Sequence, residues 1–323
     1  MGRRVLGCIA VTVLLVVPTA SAQAPRKFTM VLIPGSQEII LSVMERQHLL
    51  KKYNLEPQIQ KLLSPAGVHP LIVEGKVDLG FGGATTFAVA RAQGRPVLVF
   101  SALLSPTSFV LAPKDSPIKS LADLKGKKLG LFGGPQAAIS AMLFIIGKRW
   151  HGVDLSRESQ LITAPNPALA ALLDKKGLDA ALFGSTESLT LFLTGRYKII
   201  ADIGEEWERR AGRAPAHVVM ATTEAFAKAN PDLLRDFVRA YREAVRYIRD
   251  HPLVWEEWGQ KEGITSKEGI QLLRERIGPR IVDVWDRKQM EAQRELLEIM
   301  IEVLGEKFLK AVPAGLMTDA YVP

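Results

Sequence analysis

The sequence predicts an α/β fold in which mostly parallel sheets are flanked by helices. From residue 28 onwards, short apolar segments alternate with segments of helical periodicity, a pattern typical of parallel sheets. Of the 323 residues, 47% are hydrophobic and 24% are charged, which is ordinary for a globular protein with a substantial core. At about 100–200 residues per domain, this length corresponds to two domains.

The individual elements follow from the same patterns. Short apolar runs bounded by Gly, Pro or polar residues predict strands, and apolar residues three and four apart predict helices. In the first part of the chain the predicted strands are 28–33, 78–81, 97–103 and 108–112, and the predicted helices are 38–52 and 85–93. In the second part the predicted strands are 128–132, 160–163, 180–183, 197–202 and 217–221, and the predicted helices are 136–150 and 168–175.

The C-terminal part, to about residue 310, is predicted to be mostly helical. Asn230, Pro231 and Asp232 form a strong helix start, with a capping side chain, a proline in the first helical position and an acid in the first turn. The apolar stripe that follows predicts one long helix ending at Asp250.

The N-terminal residues 1–24 are predicted to be a secretory signal peptide. Two arginines precede an apolar run over residues 5–17, and two overlapping Ala-x-Ala sites place cleavage after Ala22 or Ala24. The apolar run is too short to span a bilayer. We therefore expect export to the periplasm.

Charge and cysteine content exclude several kinds of site. The 42 basic and 34 acidic residues give a formal charge of +8, a mild excess that tolerates anionic ligands. Cys8, the only cysteine, falls in the predicted signal peptide, so no disulfide, zinc–thiolate site or cysteine nucleophile is expected in the mature chain. The histidines show no metal-site spacing, and we predict neither a metal nor a cofactor.

A row of arginines on the predicted long helix raises the question of nucleic-acid binding. Asp232, Asp236 and Glu243 each lie three residues before an arginine of the row, at pairing distance on a helix. This self-neutralised pattern favours a solvated face, and we predict no binding to nucleic acid.

Three segments share the pattern G-x5-F-G-[GS], at residues 75–83, 126–134 and 177–185. Each predicts a buried strand followed by a helix start, and residues 31–37 follow the same logic. Glycine lets the backbone approach a ligand closely, and the first N–H groups of a helix attract an anion. Hydroxyl and amide side chains accompany these turns, at Ser36, Thr85, Thr86, Gln136, Ser185 and Thr186. The alternative is that the glycines only make tight turns.

The ordered set of segments resembles the periplasmic substrate-binding proteins of ABC importers, in the nitrate/sulfonate/taurine branch. The resemblance spans nearly the whole chain. It rests on the signal peptide, the helix–Gly-x-x-Asp–strand segment at 71–80, the segment at 120–130, the repeat of the helix–Gly–Asp pattern at 168–181, the Asn230 helix start and residues 318–322.

The resemblance implies a two-lobed, type II periplasmic-binding-protein fold with two crossover hinge segments, near residues 110–114 and 214–220. Lobe 1 would comprise residues 25–112 and 215–323, and lobe 2 residues 113–214. A small anionic or zwitterionic organic solute would bind between the lobes and pass to an inner-membrane permease, and the protein would be a monomer without enzymatic activity. The residues implied to line the cleft are Ser36, Gln37, Gly83, Thr85, Thr86, Thr107, Gly134, Gln136, Ala137, Ser185, Thr186 and Glu187.

Several alternatives stay open. One alternative is a pyrimidine-precursor synthase, an enzyme class that shares this fold. Such enzymes resemble cytosolic proteins with a cysteine cluster and an active lysine, whereas no cysteine is expected in this mature chain. A solute sensor that presents its ligand to a receptor is equally compatible with the sequence. Glu187 either pairs with a cationic amine on a zwitterion or is a solvated acid at a helix start, and Trp207 either reaches the cleft or is a packing residue.

Overall fold

The computed structural model describes Gly2 and residues 24–212, 214–306 and 308–323, and of Ser185 and Ala211 it describes the backbone alone. Apart from Gly2 and Ala24, the predicted signal peptide lies outside the described residues. Within these ranges, no helix combines the length and the apolar composition that crossing a bilayer requires.

The described strands form two five-stranded sheets. In chain order the strands are β1 (Arg26–Leu32), β2 (Leu55–Lys61), β3 (Leu79–Gly83), β4 (Val97–Leu104), β5 (Phe109–Pro113), β6 (Lys128–Leu131), β7 (Gln160–Thr163), β8 (Ala180–Phe183), β9 (Tyr197–Asp202) and β10 (Val218–Thr223).

Helices connect the strands and form the C-terminal part. In chain order they are α1 (Glu38–Arg46), α2 (Leu49–Lys52), α3 (Pro65–Val73), α4 (Ala84–Ala92), α5 (Ala138–Trp150), α6 (Leu155–Glu158), α7 (Asn166–Asp174), α8 (Ser185–Leu193), α9 (Ile203–Ala211), α10 (Glu224–Ala229), α11 (Pro231–Asp250), α12 (Leu253–Lys261), α13 (Lys267–Ile277) and α14 (Arg287–Leu304).

Each sheet is parallel except where one strand runs against its neighbours. The first sheet has the order β2-β1-β3-β10-β4, in which β10 is antiparallel to β3 and β4. The second has the order β7-β6-β8-β5-β9, in which β5 is antiparallel to β8 and β9. The predicted fold class, two mostly parallel sheets flanked by helices, is therefore confirmed.

The chain passes between the sheets twice. It leaves the first sheet at Leu104 and enters the second at Phe109, and it returns between α9 and Val218. The first change of sheet thus falls at residues 105–108, shortly before the predicted hinge near 110–114. The predicted lobe boundary after residue 112 lies near the end of β5, and the lobe boundaries stay a prediction.

Three local features differ from the sequence prediction. Asn230 precedes α11, but its side chain does not cap that helix: its Nδ2 donates to the Phe226 carbonyl oxygen at 3.1 Å. Strand β2 was not predicted, because it carries a proline and alternates polar with apolar residues; it lies at the edge of the first sheet, where a proline disrupts no inner ladder. The single helix predicted over residues 38–52 is two helices, separated at His48, whose φ of 53° is left-handed and ends regular helical geometry.

The long helix α11 holds the first sheet in place. Phe237 on α11 lies edge-on to Phe28 of β1, with ring centroids 5.9 Å apart, and 6.3 Å from the ring of Phe81 in β3. All three rings are buried, and each such side chain contributes about 1.5–3 kcal/mol by leaving water. The three rings thereby pack α11 against β1 and β3.

Candidate functional site

A cavity of about 380 Å³ lies between the two sheets, where strand-to-helix junctions from both meet. The first sheet contributes the segment after β1, the end of β3 and the start of β10. The second sheet contributes the starts of α5, α7 and α8. This is the edge at which open α/β sheets bind ligands.

The predicted site residues fall into three groups. Those that line the cavity are Ser36, Gln37, Gly83, Thr107, Ala137, Thr186 and Glu187. Those outside its lining are Thr85, Thr86, Gly134 and Gln136. The side chain of Ser185 lies outside the described part of the structure. Binding by any of these residues stays a prediction.

The two halves of the cavity touch each other. An ideal Cβ placed on Gly133, after β6, would lie 3.3 Å from Cγ of Pro65 at the start of α3. A Cβ placed on Gly35, after β1, would lie 3.5 Å from Oγ1 of Thr186 in α8. The loops of the two sheets therefore approach each other so closely that at these two places there is little room for more than a methyl group.

Two histidines that were not predicted line the cavity, and both are neutral. The Gly83 N–H donates to Nε2 of His69 at 2.9 Å, so the proton of this imidazole is on Nδ1. Nδ1 of His217 donates to the Leu104 carbonyl oxygen at 3.2 Å. Burial lowers the pKa of both rings from 6.5 to about 4.

Asn166 organises the start of α8. Its Nδ2 donates to Oε2 of Glu187, and its Oδ1 accepts from the Gly184 N–H, each at 3.3 Å. Asn166 begins α7 after β7, so it is a further strand-to-helix junction of the second sheet. Its position between Pro165 and Pro167 is a sequence signal for such a turn.

A buried hydroxyl is unsatisfied in the cavity wall. Thr186 is 5% exposed, and its Oγ1 has no hydrogen-bond partner among the described residues. The same holds for Oγ1 of Thr85, in the first turn of α4 but outside the cavity lining. A buried polar group without a partner costs about 1–3 kcal/mol. Of the unpartnered buried side-chain groups in the described structure, Thr186 is the one that lines the cavity.

The charge of the cavity wall is negative. Glu187 and Glu262 line it, whereas no described lining residue is a lysine or an arginine. Burial raises the pKa of Glu262, and the nearby carboxylates of Glu38 and Glu187 act in the same direction against the opposing charge of Lys261. Elsewhere in the described chain, no three His, Cys, Asp or Glu side chains are grouped to hold a metal ion.

An ion cluster around the buried carboxylate of Glu38 links α1, β2 and α12. Glu38, 9% exposed at its side chain, pairs with Lys61 of β2 at 2.5 Å and with Lys261 of α12 at 3.2 Å. The two lysines lower the pKa of Glu38 although burial opposes them as the largest single effect. The cluster fixes the end of α12, which carries Glu262, against α1.

Trp207 is a packing residue. It is 2% exposed and lies edge-on to Trp150, with ring centroids 5.4 Å apart, away from the cavity lining. Of the alternatives for this side chain, packing is the one found.

Comparison with solved structures shows which known proteins have a similar fold. The alkanesulfonate-binding protein SsuA of Xanthomonas axonopodis pv. citri, solved bound to MOPS, superposes with a TM-score of 0.76 at 15% identity, over 92% of this chain and 99% of that one. The Candida albicans CA3427 gene product, described as having the generic periplasmic binding protein fold, gives 0.69 at 16% identity over 91% and 96%. This chain has that fold.

Sequence relatives are named for thiamine biosynthesis. A Haemophilus influenzae protein named as a thiamine biosynthesis protein is 29% identical over 65% of this chain and 64% of its own length. The Saccharomyces cerevisiae 4-amino-5-hydroxymethyl-2-methylpyrimidine phosphate synthase THI11 is 24% identical over 70% of this chain and 67% of its own. The chain thus spans about two thirds of each relative. The family model described as NMT1/THI5 like matches residues 49–253, more than half of the chain, and the protein belongs to that family.

Proposed function

We propose that this protein is the extracytoplasmic solute-binding component of an ABC import system. It captures a small organic solute in the cavity between its lobes and delivers it to a membrane permease. The observation that carries the proposal is the buried, unpartnered Oγ1 of Thr186 in a cavity to which both sheets contribute. The likeness of the fold to that of alkanesulfonate-binding SsuA supports it.

The mechanism is a shift between open and closed arrangements of the lobes. A solute that contacts both lobes only when they are closed favours the closed form by the difference in its affinity for the two. The crossover segment at 105–108 and the return before Val218 are the places where rotation would be absorbed. The permease would then recognise the closed form.

The charges and N–H groups that line the cavity favour one class of solute. The sequence left an anionic and a zwitterionic solute open, and a wall with two carboxylates disfavours a purely anionic one. Helix starts of α5, α7 and α8 still offer N–H groups to an anionic part of the solute. A zwitterion meets both features.

The test is a thermal-shift and calorimetric screen with a Thr186→Val variant. The panel contains taurine, ethanesulfonate, nitrate, 4-amino-5-hydroxymethyl-2-methylpyrimidine and aromatic carboxylates and amines. A compound that binds the native state raises the melting temperature. Thr186→Val should stabilise the free protein, because it removes an unsatisfied hydroxyl, and should weaken binding about five- to tenfold by the loss of one hydrogen bond.

Thr190→Val is the matched control, since its hydroxyl on the same helix donates to the Thr186 carbonyl oxygen at 3.0 Å outside the cavity lining. It should leave the affinity unchanged. A panel without any binder, or a binder equally tight for Thr186→Val, would overturn the proposal.

A second candidate is a pyrimidine-precursor synthase, which the name of the yeast relative favours. Mass spectrometry of the incubated protein separates the two functions. New formation of the phosphorylated pyrimidine for which the yeast relative is named supports the synthase. Reversible binding of a panel compound that is recovered unchanged, with no such product, supports solute binding.

A further inference from the structure

Two carboxylates from separate elements line the cavity. Glu187 lies in the first turn of α8, and Glu262 directly follows α12. They are close enough for the charge of Glu187 to raise the pKa of Glu262. The side chain of Glu262 is half-buried and that of Glu187 is exposed. Two like charges repel each other, which is unfavourable unless a cation offsets the repulsion.

Nothing in the described part of the protein provides that cation. Glu187 accepts only from the neutral amide of Asn166, at 3.3 Å. Lys261 is the nearest base to Glu262 along the chain, but its Nζ pairs with Glu38 at 3.2 Å. Neither cavity carboxylate forms an ion pair with a described lysine or arginine within 4.0 Å, so both are available to a bound molecule.

The unsatisfied hydroxyl of Thr186 is an independent sign of a ligand at this place. It adjoins Glu187 in the chain and lines the same cavity, 95% buried and without a partner in the described structure. Much of the remaining wall is apolar, with Ile33, Phe132 and Val218 as examples. The site combines an acceptor-rich region with surfaces that suit a hydrocarbon body.

We infer that the solute carries a protonated amine, which is held by the carboxylates of Glu187 and Glu262 while its apolar body fills the rest of the cavity. The inference rests on the proposed function and names the chemistry of its solute. An ammonium supplies three N–H donors and a positive charge, and charge-assisted hydrogen bonds to carboxylates are about twice as strong as neutral ones. The hydroxyl of Thr186 serves as an additional partner.

Binding of an amine is then coupled to proton release. The groups that act on Glu262 are Glu187 of α8, Glu38 of α1, and Lys261 and Trp258 of α12. Burial keeps the pKa of Glu262 above its usual value in the free protein, and a neighbouring ammonium would lower it. The affinity for an amine should therefore rise as the pH is raised above 4.5, through the range in which Glu262 loses its proton.

Four probes built on one benzene ring test the inference: benzylamine, 4-(aminomethyl)benzoate, benzoate and benzyl alcohol. Binding is followed by saturation-transfer NMR and thermal shift at pH 7. We expect both amines to bind, whether or not they carry a carboxylate, and the other two to bind at least tenfold more weakly. Binding of benzoate or benzyl alcohol as tight as that of benzylamine would overturn the inference and leave the proposed function standing. Failure of both amines also overturns it, and the solute panel then decides the proposed function separately.

Charge-neutral variants locate the amine. Glu187→Gln and Glu262→Gln should each weaken benzylamine binding about tenfold, and Glu298→Gln, an exposed change on α14 with the same loss of charge, should have no effect. Calorimetry in two buffers of different ionisation enthalpy at pH 5 should detect proton release for the parent protein and none for Glu262→Gln. Equal affinity in all three variants, or proton release that survives in Glu262→Gln, would contradict the assignment.

Discussion

Gly83, which ends β3, and Ala138, which begins α5, face each other across the cleft: an ideal Cβ on Gly83 would lie 3.4 Å from Cβ of Ala138. The first residue belongs to the first sheet's junctions and the second to those of the other sheet. An added methyl at Gly83 would therefore just reach van der Waals contact with Ala138, and a larger side chain at either position would not fit in this conformation. If the lobes close as proposed, closure should be sensitive to the size of these residues.

Enlarging Ala138 should prevent closure. In Ala138→Leu the added atoms press against Gly83 or enter the cavity, and overpacking of this kind costs about 1–3 kcal/mol. We expect solute affinity to fall by about tenfold or more, measured by calorimetry with a binder from the panel, while the melting temperature of the free protein changes little. Ala171→Leu, an exposed change on α7, is the control and should bind normally. Normal binding by Ala138→Leu would show that the two halves do not close at this contact.

The two cavity histidines should make stability depend on pH. Burial lowers the pKa of His69 and His217 to about 4, so between pH 4 and 6.5 the unfolded chain binds more protons than the folded one. Stability is therefore lost as the pH falls through this window, at about 1.2 kcal/mol per pH unit for each histidine near pH 5. Denaturant unfolding at pH 5, 6 and 7 measures the slope. His69→Gln and His217→Gln should each reduce it by about half of their joint contribution, and an unchanged slope in both would contradict the assignment of neutral rings.

The ion cluster behind the cavity should contribute to stability. Glu38→Gln leaves Lys61 and Lys261 without their carboxylate and a buried amide in its place, which we expect to cost about 1–3 kcal/mol in the free energy of unfolding. Glu45→Gln, an exposed change on the same helix, is the control and should lie within about 0.5 kcal/mol of the parent. Equal stabilities of the two variants in urea titrations would show that the cluster is not stabilising.

The start of α9 should not tolerate a side chain. A Cβ on Gly204 would lie 2.3 Å from the Pro106 carbonyl oxygen in the first crossover and 2.9 Å from Cζ of Arg280. Because a backbone atom cannot move aside cheaply, Gly204→Ala should lose more than about 2 kcal/mol of stability. Gly67→Ala is the comparison, since its new methyl would come closest to the flexible end of Leu62 at 3.3 Å and would meet Leu62 Cβ and Ser64 Oγ at ordinary contact distances. A melting temperature for Gly204→Ala equal to that of Gly67→Ala would refute this.

The sequence predicted the sheet-forming strands well wherever they are apolar and bounded by glycines, as in β3, β6 and β8. It did not predict β2, because an edge strand with one solvated face has no continuous apolar run. The site residues could likewise be predicted where a glycine motif marks them and not elsewhere. Residues at glycine-marked junctions, such as Thr186 and Glu187, were predicted and line the cavity.

Other lining residues carry no local motif. His69 lies inside helix α3, Glu262 follows a C-terminal helix, and His217 precedes β10. Only the return of the chain to the first sheet brings the latter two beside the earlier junctions. Thr85 shows that a motif can also predict too much. It lies in the first turn of a helix that begins at the cavity, but its side chain is buried outside the cavity lining. Helical geometry directs successive side chains to different faces, and the sequence motif does not show which face meets the cavity.

A distance between the lobes tests the central claim most directly. Spin labels at Leu63→Cys and Gln136→Cys, introduced together with Cys8→Ser, occupy exposed positions on loops of opposite halves, close to Pro65 and Gly133, which meet across the cleft. We predict that each compound of the panel that raises the melting temperature also shortens the mean distance between the labels and narrows its distribution. A compound that binds and raises the melting temperature while leaving this distance distribution unchanged would contradict capture by closure of two lobes.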